Sequence, residues 1–323
     1  MRGLILATIG TPQDASKESV SRYLSNFLGD SHVISIPQPF RKSLVENRII
    51  PRHLALSMKR YQALQKLFGG EMPLRRNMEN VVQKMRLRFP DWKTYSLQLY
   101  GGESEVEQLL QEMSREGEFK EITILPLYPQ CTVSSYCAVV DKAREALHKQ
   151  FPEATLHVVP PYYADDRYIS LLQKKVRPFV EHNRYDLLVT SYHSIPLLHQ
   201  WWGMCFGYDY HKQCHTTTKK LFQLLPEIKS YQLVFQSAMG KKWLTPFAEK
   251  ELPLLPEKGV SKVLAVCPGF IVDCLETVYD IEQTLRKKFL DKGGKVFDLV
   301  PALNSEEDTL DLFYALATSC HTP

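Results

Sequence analysis

No apolar stretch in the 323 residues approaches the roughly 18–20 that a membrane-crossing helix needs. No Lys/Arg run reaches the length of a nucleic-acid-binding arm, so a nucleic-acid partner is not expected. The seven cysteines (Cys131, Cys137, Cys205, Cys214, Cys267, Cys274, Cys320) are odd in number, scattered and without a C-x-x-C pair. That pattern argues against a disulfide framework and the common zinc modules, and it fits a reducing compartment. Neither G-x-G-x-x-G nor G-K-[ST] is present, so Gly69-Gly70 and Gly101-Gly102 read as turns and no nucleotide cofactor is implied. The opening MRGLILATIGTP lacks the apolar length and the small-residue cleavage site of a signal peptide, and it reads as a strand ending in a turn. A cytoplasmic protein is expected, with any contact at the inner membrane peripheral. Its oligomeric state is expected to be a monomer or a weak homodimer.

What the chain does have is apolar material in a regular arrangement. Hydrophobic residues make up 44%, enough for two packed cores, while 40 basic against 36 acidic side chains leave a net charge of only +4. Strands are predicted at 3–9, 31–36, 94–100, 121–127, 155–159, 186–192, 231–236 and 261–267, with another at 295–299. Between them lie helical patterns at 17–28, 56–68, 76–88, 104–116, 135–151, 166–182, 211–224 and 305–318. Strands apolar on both faces that alternate with amphipathic helices predict an α/β fold with parallel, helix-covered sheets. Two similar doubly wound lobes are expected, 1–150 and 151–323, with an active-site cleft between them and the last helix packing back on the first lobe. No internal repeat is visible in the sequence to support a duplication.

Ligands of such sheets sit beyond the carboxyl ends of the strands. Gly10-Thr11-Pro12, Tyr128-Pro129, His193 and Cys267-Pro268-Gly269 all follow predicted strand ends. After the last of these, Asp273, Glu276 and Asp280 fall at i, i+3 and i+7, along one face of a helix. Such a stripe suits a divalent cation or a proton path. On spacing alone it reads more readily as a D-x-x-E capping box, Asp273 as N-cap with Glu276 as its partner and Asp280 merely solvated.

The string CPGFIVDCLET (267–277) resembles the C-terminal signature of the ferrochelatases, which insert ferrous iron into a porphyrin at the last stage of haem synthesis. Ser191-Tyr192-His193-Ser194-Ile195-Pro196 resembles that family's S-Y-H-G-[LI]-P motif. Partial matches follow in order at LILATIGTP (4–12), RYLSNFLGD (22–30), PLYPQCTVSS (126–135), QSAMGKKWLTP (236–246) and VPALN (300–304). The resemblance spans nearly the whole chain. It implies a chelatase fold, with porphyrin and Fe²⁺ as substrates and protohaem as product, in a lyase. His193 and Glu276 are implied as the catalytic pair, with His193, Glu276 and Asp280 along the metal's path. Ile9, Gly10, Thr11, Pro12, Tyr128, Pro129, Ser134, Ser135 and Trp202 would wall the porphyrin.

Metal entry displaces two pyrrolic protons, and a neutral imidazole is suited to accept one. Glu276 is expected to hold His193 or carry the proton outward, and Asp280 to extend the path. The chain departs from the family at Thr8, at Gln98-Leu99-Tyr100-Gly101 and Gln236-Ser237-Ala238-Met239-Gly240, which lack the usual Arg, and at Thr284. The propionate contacts are thereby left unassigned. Lys241 and Lys242 read either as propionate partners or as solvated surface. Ile9, where coproporphyrin-acting members tend to carry Tyr, favours protoporphyrin IX. A chelatase for coproporphyrin III or for cobalt, and a non-catalytic tetrapyrrole carrier, are the alternatives. Cys320 stands without the cysteine cluster that binds a [2Fe-2S] centre in some members, so neither that centre nor another tightly bound cofactor is expected.

His211 and His215, i,i+4 on a predicted helix, read as a solvated helix start more readily than as a metal pair, because Lys212 stands where a zinc protease needs Glu. The apolar stretch from Trp201 to Tyr208 fits a lip on a porphyrin or membrane and equally a packed helix interface. Cys267 and Cys274 read as small buried hydrophobes.

Overall fold

The structure, a computed structural model, describes residues 1–321. Its chain forms two compact units: Met1–Leu127, Val133–Pro160 and the segment from Leu310 onward in one, Tyr128–Thr132 and Pro161–Thr309 in the other.

In the first unit β1 (Arg2–Thr8), β2 (Trp92–Gln98), β3 (Glu121–Pro126) and β4 (Thr155–Val158) form a parallel sheet ordered β2-β1-β3-β4. Leu4, Ile5, Leu6 and Ala7 are all fully buried, as expected of a central strand covered on both faces. The helices are α1 (Lys17–Leu28), α2 (Gln38–Leu44), α3 (Ile50–Leu67), α4 (Pro73–Arg88), α5 (Glu105–Glu116) and α6 (Ala138–Gln150). Ser16 starts α1 by accepting the Ser19 N–H on its hydroxyl at 3.2 Å.

The second unit repeats the plan. β5 (Leu187–His193), β6 (Tyr231–Gln236), β7 (Lys262–Val266) and β8 (Val296–Leu299) form a parallel sheet ordered β6-β5-β7-β8. In each unit the first strand sits second in the sheet, flanked by the second and third. Around this sheet the chain forms α7 (Asp166–His182), α8 (Leu197–Cys205), α9 (Tyr210–Gln223), α10 (Ala248–Glu251), a π-helical segment (Leu275–Leu285) and α11 (Arg286–Asp291). One core joins Val189, Val234, Val263 and Ala265 of the strands to Ile281 and Leu285 of the π-helical segment. The last helix, α12 (Glu307–Ser319), ends in the first unit, where Tyr314 stacks on Phe89 at 4.2 Å.

The strand predicted at 31–36 is absent. Asp30 accepts the His32 N–H and ring nitrogen on one carboxylate oxygen, both at 2.8 Å, and its carbonyl takes the N–H groups of Val33 and Ile34. An Asx-type turn therefore wins over β-propensity, and Val33 and Ile34 pack with Leu28, Val45 and Ile50. The helical pattern at 56–68 begins much earlier, at Gln38, with a π-helical stretch over Val45–Ile49. Strand β4 pairs with β3, and α8 has no counterpart among the predicted helices.

Candidate active site

His193 is the last residue of β5 and is half-buried. Its Nδ1 lies 2.6 Å from the Ser194 carbonyl oxygen, which can only accept, so Nδ1 carries the hydrogen and donates. In the neutral ring Nε2 then holds a lone pair, and among the described residues it makes no hydrogen bond. The ring is set from several sides. Tyr210 donates its hydroxyl to the His193 carbonyl at 2.9 Å, Trp243 lies at a ring separation of 6.5 Å, and Ser194 is pinned by its hydroxyl to the Leu244 carbonyl at 2.8 Å. Below it Tyr192, fully buried, donates to the Cys214 carbonyl at 3.1 Å. Burial pushes the Tyr192 and Tyr210 hydroxyls far above their ordinary pKa, so both remain neutral donors.

Parallel pairing sets His193 beside Gln236, the last residue of β6. Gln236 is fully buried and uses its whole amide: Oε1 accepts from Ser191 Oγ at 2.5 Å, and Nε2 donates to the Glu276 carbonyl at 2.7 Å. Its own carbonyl takes the Ser194 N–H at 2.8 Å. No hydrogen bond joins the His193 imidazole to the Glu276 carboxylate among the described residues. Of the two roles expected for Glu276, holding His193 or carrying the proton outward, the first does not take the form of a hydrogen bond between the side chains: Gln236 links the strand end to the Glu276 backbone.

The acidic stripe is corrected as well. Glu276 lies in the first turn of the π-helical segment, whose N-cap is Cys274 and whose reciprocal partner is Thr277, with Cys274 N–H donating to Thr277 Oγ1 at 3.1 Å. Asp273 lies before the helix and is neither N-cap nor part of a shared face. Its carboxylate accepts from Asn304 Nδ2 at 2.7 Å, Thr277 Oγ1 at 3.0 Å and Ala302 N–H at 3.2 Å. This clamps the VPALN loop to the turn after β7. Glu276 and Asp280, both half-buried, stay on the helix. Asp280 accepts from Ser237 Oγ at 3.0 Å, and Ser237, at φ 60°, has its N–H on Glu249 Oε1 at 2.6 Å. A non-glycine residue in the left-handed region costs energy and is found where surroundings over-determine it. π-Helical turns likewise concentrate at functional sites.

Cys267 and Cys274 are buried beside this cluster. Burial first, then Asp273 for Cys267 and Glu276 for Cys274, pushes both thiols up and leaves them protonated. In the same unit Tyr128 is half-buried and Pro129 buried. Trp202 is half-buried and stacked on His199 at 5.6 Å, whereas Trp201 is 58% exposed. His211 and His215 sit in the first turns of α9, rings 4.5 Å apart, behind the N-cap Asp209. Lys241 and Lys242 are exposed.

The remaining wall candidates belong to the first unit. Gly10, at φ 85°, passes so close to Gln98 that a Cβ would lie 2.9 Å from that residue's Cβ, and its N–H donates to Thr8 Oγ1 at 3.1 Å. Glycine is required there, and Thr8 has its own use for a hydroxyl. Thr11, Pro12 and Gly10 are buried, while Ile9, Ser134 and Ser135 are half-buried. The Arg75 guanidinium braces this turn on the carbonyls of Gly101 at 2.7 Å and Pro12 at 3.3 Å, and pairs with Glu105 at 2.9 Å.

Gln236, Ser191 and Ser237 stand in motifs legible in the sequence, but no role follows for them from the sequence alone. The available signal was the Gln-Ser dipeptide closing the apolar strand YQLVF, a polar pair at the ligand end of a parallel sheet.

Comparison with known proteins bears on the fold and on the family. The chain resembles SirB of Bacillus subtilis, solved with Fe³⁺, at a TM-score of 0.54 and 12% identity over 99% of this chain and 96% of that one. A multi-domain Deinococcus radiodurans protein described as similar to chelatases matches at 0.55 and 11% over the whole of this chain, which spans 56% of that longer protein. These likenesses show the chelatase fold. Ferrochelatase of Shigella flexneri serotype 5b is 33% identical over 323 residues, 98% of each chain. The ferrochelatase family model matches residues 1–320. With His193 and Glu276 in the segments that carry the family's two most specific motifs, the chain belongs to the ferrochelatase family.

Proposed function

We propose that this protein inserts Fe²⁺ into protoporphyrin IX, the step that forms protohaem. The observation that carries this reading is the His193 ring, with Nδ1 committed to the Ser194 carbonyl and Nε2 free to accept a proton. A porphyrin loses two pyrrolic N–H protons as the metal enters, and a neutral imidazole with a free ring nitrogen is suited to accept one. Glu276 and Asp280, with Ser237 donating to Asp280, give carboxylates that receive protons or guide the arriving cation. Ring distortion, which exposes the nitrogen lone pairs, would draw on binding energy from the macrocycle's faces and propionates. Ile9 supports protoporphyrin over coproporphyrin. Iron is a substrate here, and no resident cofactor is part of the reading.

We further infer a cytoplasmic protein that touches a membrane surface through α8 and its continuation. Leu197, Leu198, Trp201, Met204 and Phe206 are 48–75% exposed there, and no helix among the described residues is long and apolar enough to cross a membrane.

The direct test is anaerobic: purified protein with protoporphyrin or coproporphyrin and with Fe²⁺, Co²⁺ or Zn²⁺, followed by the Soret band. Faster turnover of Fe²⁺ and protoporphyrin is expected. Preference for coproporphyrin would overturn the substrate, and porphyrin binding without any turnover would overturn catalysis in favour of a carrier.

A further inference from the structure

We propose that Glu121, His157 and His321, none of which belongs to the reaction described above, form a second metal site in the first unit, taking a borderline divalent ion of the Zn²⁺ or Co²⁺ type.

The placement follows from strand register. Thr123 of β3 pairs with His157 of β4, and Glu121 lies two residues from Thr123, so the three side chains share one face of the sheet at its edge strand. The turn after α12, closed by the His321 N–H on the Thr318 carbonyl at 3.2 Å, brings His321 over that face. Its ring lies 3.9 Å from the His157 ring, and one ligand atom from each of Glu121, His157 and His321 falls within 4.8 Å of the others. A filled tetrahedral site with 2.0–2.1 Å bonds spaces its donors roughly 3.3 Å apart, so small side-chain rotations close the set.

Two further observations point to a ligand. Nε2 of His157 is enclosed and has no hydrogen-bond partner, a costly state for a polar atom and the one a bound cation relieves. His321 is already oriented in the manner of a metal-bound imidazole. Its Nε2 is held by Thr123 Oγ1 at 2.7 Å, while Nδ1 faces Glu121 Oε2 at 3.7 Å, too far for a hydrogen bond. Glu121 also takes Arg2 Nε at 2.8 Å on Oε2, and a carboxylate has lone pairs for both. Two imidazoles and one carboxylate suit Zn²⁺, Co²⁺ or Ni²⁺, whereas Mg²⁺ and Ca²⁺ prefer oxygen donors throughout. Three protein ligands leave a position for water.

The test titrates Zn²⁺ calorimetrically into a His193→Ala/Glu276→Gln protein, so that the proposed reaction site does not contribute. One Zn²⁺ per chain is expected, with affinity at least about tenfold weaker after His157→Gln or His321→Gln. Trp92, whose ring is 5.3 Å from His321, supplies a local probe. Ni²⁺ should quench the wild-type emission and lose that component in Trp92→Phe. In the same His193→Ala/Glu276→Gln background, Zn²⁺ should raise the thermal midpoint and fail to do so after a further His321→Gln, a turn substitution that leaves the sheet intact. Unchanged Zn²⁺ affinity in both histidine variants, or no Zn²⁺ bound by the His193→Ala/Glu276→Gln protein, overturns the site.

Discussion

The Gln236 side-chain amide donates to the Glu276 backbone carbonyl at 2.7 Å while its oxygen accepts from Ser191 at 2.5 Å, fixing the start of the π-helical segment to the ends of β5 and β6. Because Gln236 is fully buried, neither partner can replace it with water. Gln236→Leu should therefore cost about 1–3 kcal/mol of stability through unpaired buried groups. It should also lower kcat by tenfold or more, because Glu276 is carried on the carbonyl that Gln236 holds. Denaturant unfolding together with kcat and KM checks both; a stability loss with unchanged kcat would confine Gln236 to the core.

His193→Ala is expected to lower metal insertion by about 10²–10⁴-fold, the usual worth of a positioned general base. Porphyrin affinity should stay within a few-fold, because the ring is replaced at one point of a large contact. Fluorescence titration beside the Soret assay separates the two. Turnover near that of the wild type would remove His193 from proton transfer.

Asp273 and Asp280 should behave oppositely. Asp273→Ala strips three hydrogen bonds, two that join the 302–304 loop to the turn after β7 and one from Thr277, and should cost on the order of 2–3 kcal/mol in stability. Asp280→Asn keeps the shape and the acceptor for Ser237 but removes the charge, so it should reduce kcat for Fe²⁺ with little change in the thermal midpoint. Thermal denaturation and steady-state kinetics on the pair decide the matter. Equal stability losses would make both carboxylates structural.

The turn built on Asp30 and His32 predicts a pH window for stability. Burial pushes the Asp30 carboxyl up, but hydrogen bonds from the His32 ring and N–H, with Lys142 nearby, overcome it and hold the group down at about 2. The hydrogen bond to Asp30 raises the His32 imidazole against its own burial, with Asp141 adding to the effect. A lowered carboxylate stabilises above its unfolded value and fails as pH falls through the folded one. A raised imidazole stabilises below its unfolded value and fails as pH rises through the folded one. Both contributions coexist between about pH 4 and 6.5. His32→Gln should cost about 1–2 kcal/mol at pH 5.5, and less at pH 8 or near pH 2. Urea midpoints at the three values check it, and a pH-independent difference would deny the pair its charge.

How far the sequence carried the fold differs by element. Strands such as Tyr231–Gln236 and Leu187–His193 were legible because they are buried on both faces and read as unbroken apolar runs. The 31–36 segment has the same apolar character, yet a carboxylate one residue upstream captures the backbone first. Helix α8 escaped because an apolar run of this length carries no period to distinguish helix from loop, and five of the apolar residues in and beside it stay exposed.

By itself the sequence determined the α/β class, the position of His193 at the end of an apolar strand and of Glu276 in the helical segment that follows another, and the family, since periodicity and short motifs are local properties. Tertiary structure alone decided that the two sheets share one strand order, that Asp273 serves a loop while Asp280 serves Ser237, and that Gln236 rather than a carboxylate links the two motifs. Those outcomes depend on which strands pair and on which helical turn forms, 3.6-residue or π. Both are set by contacts between residues tens of positions apart, and no spacing along the chain encodes them.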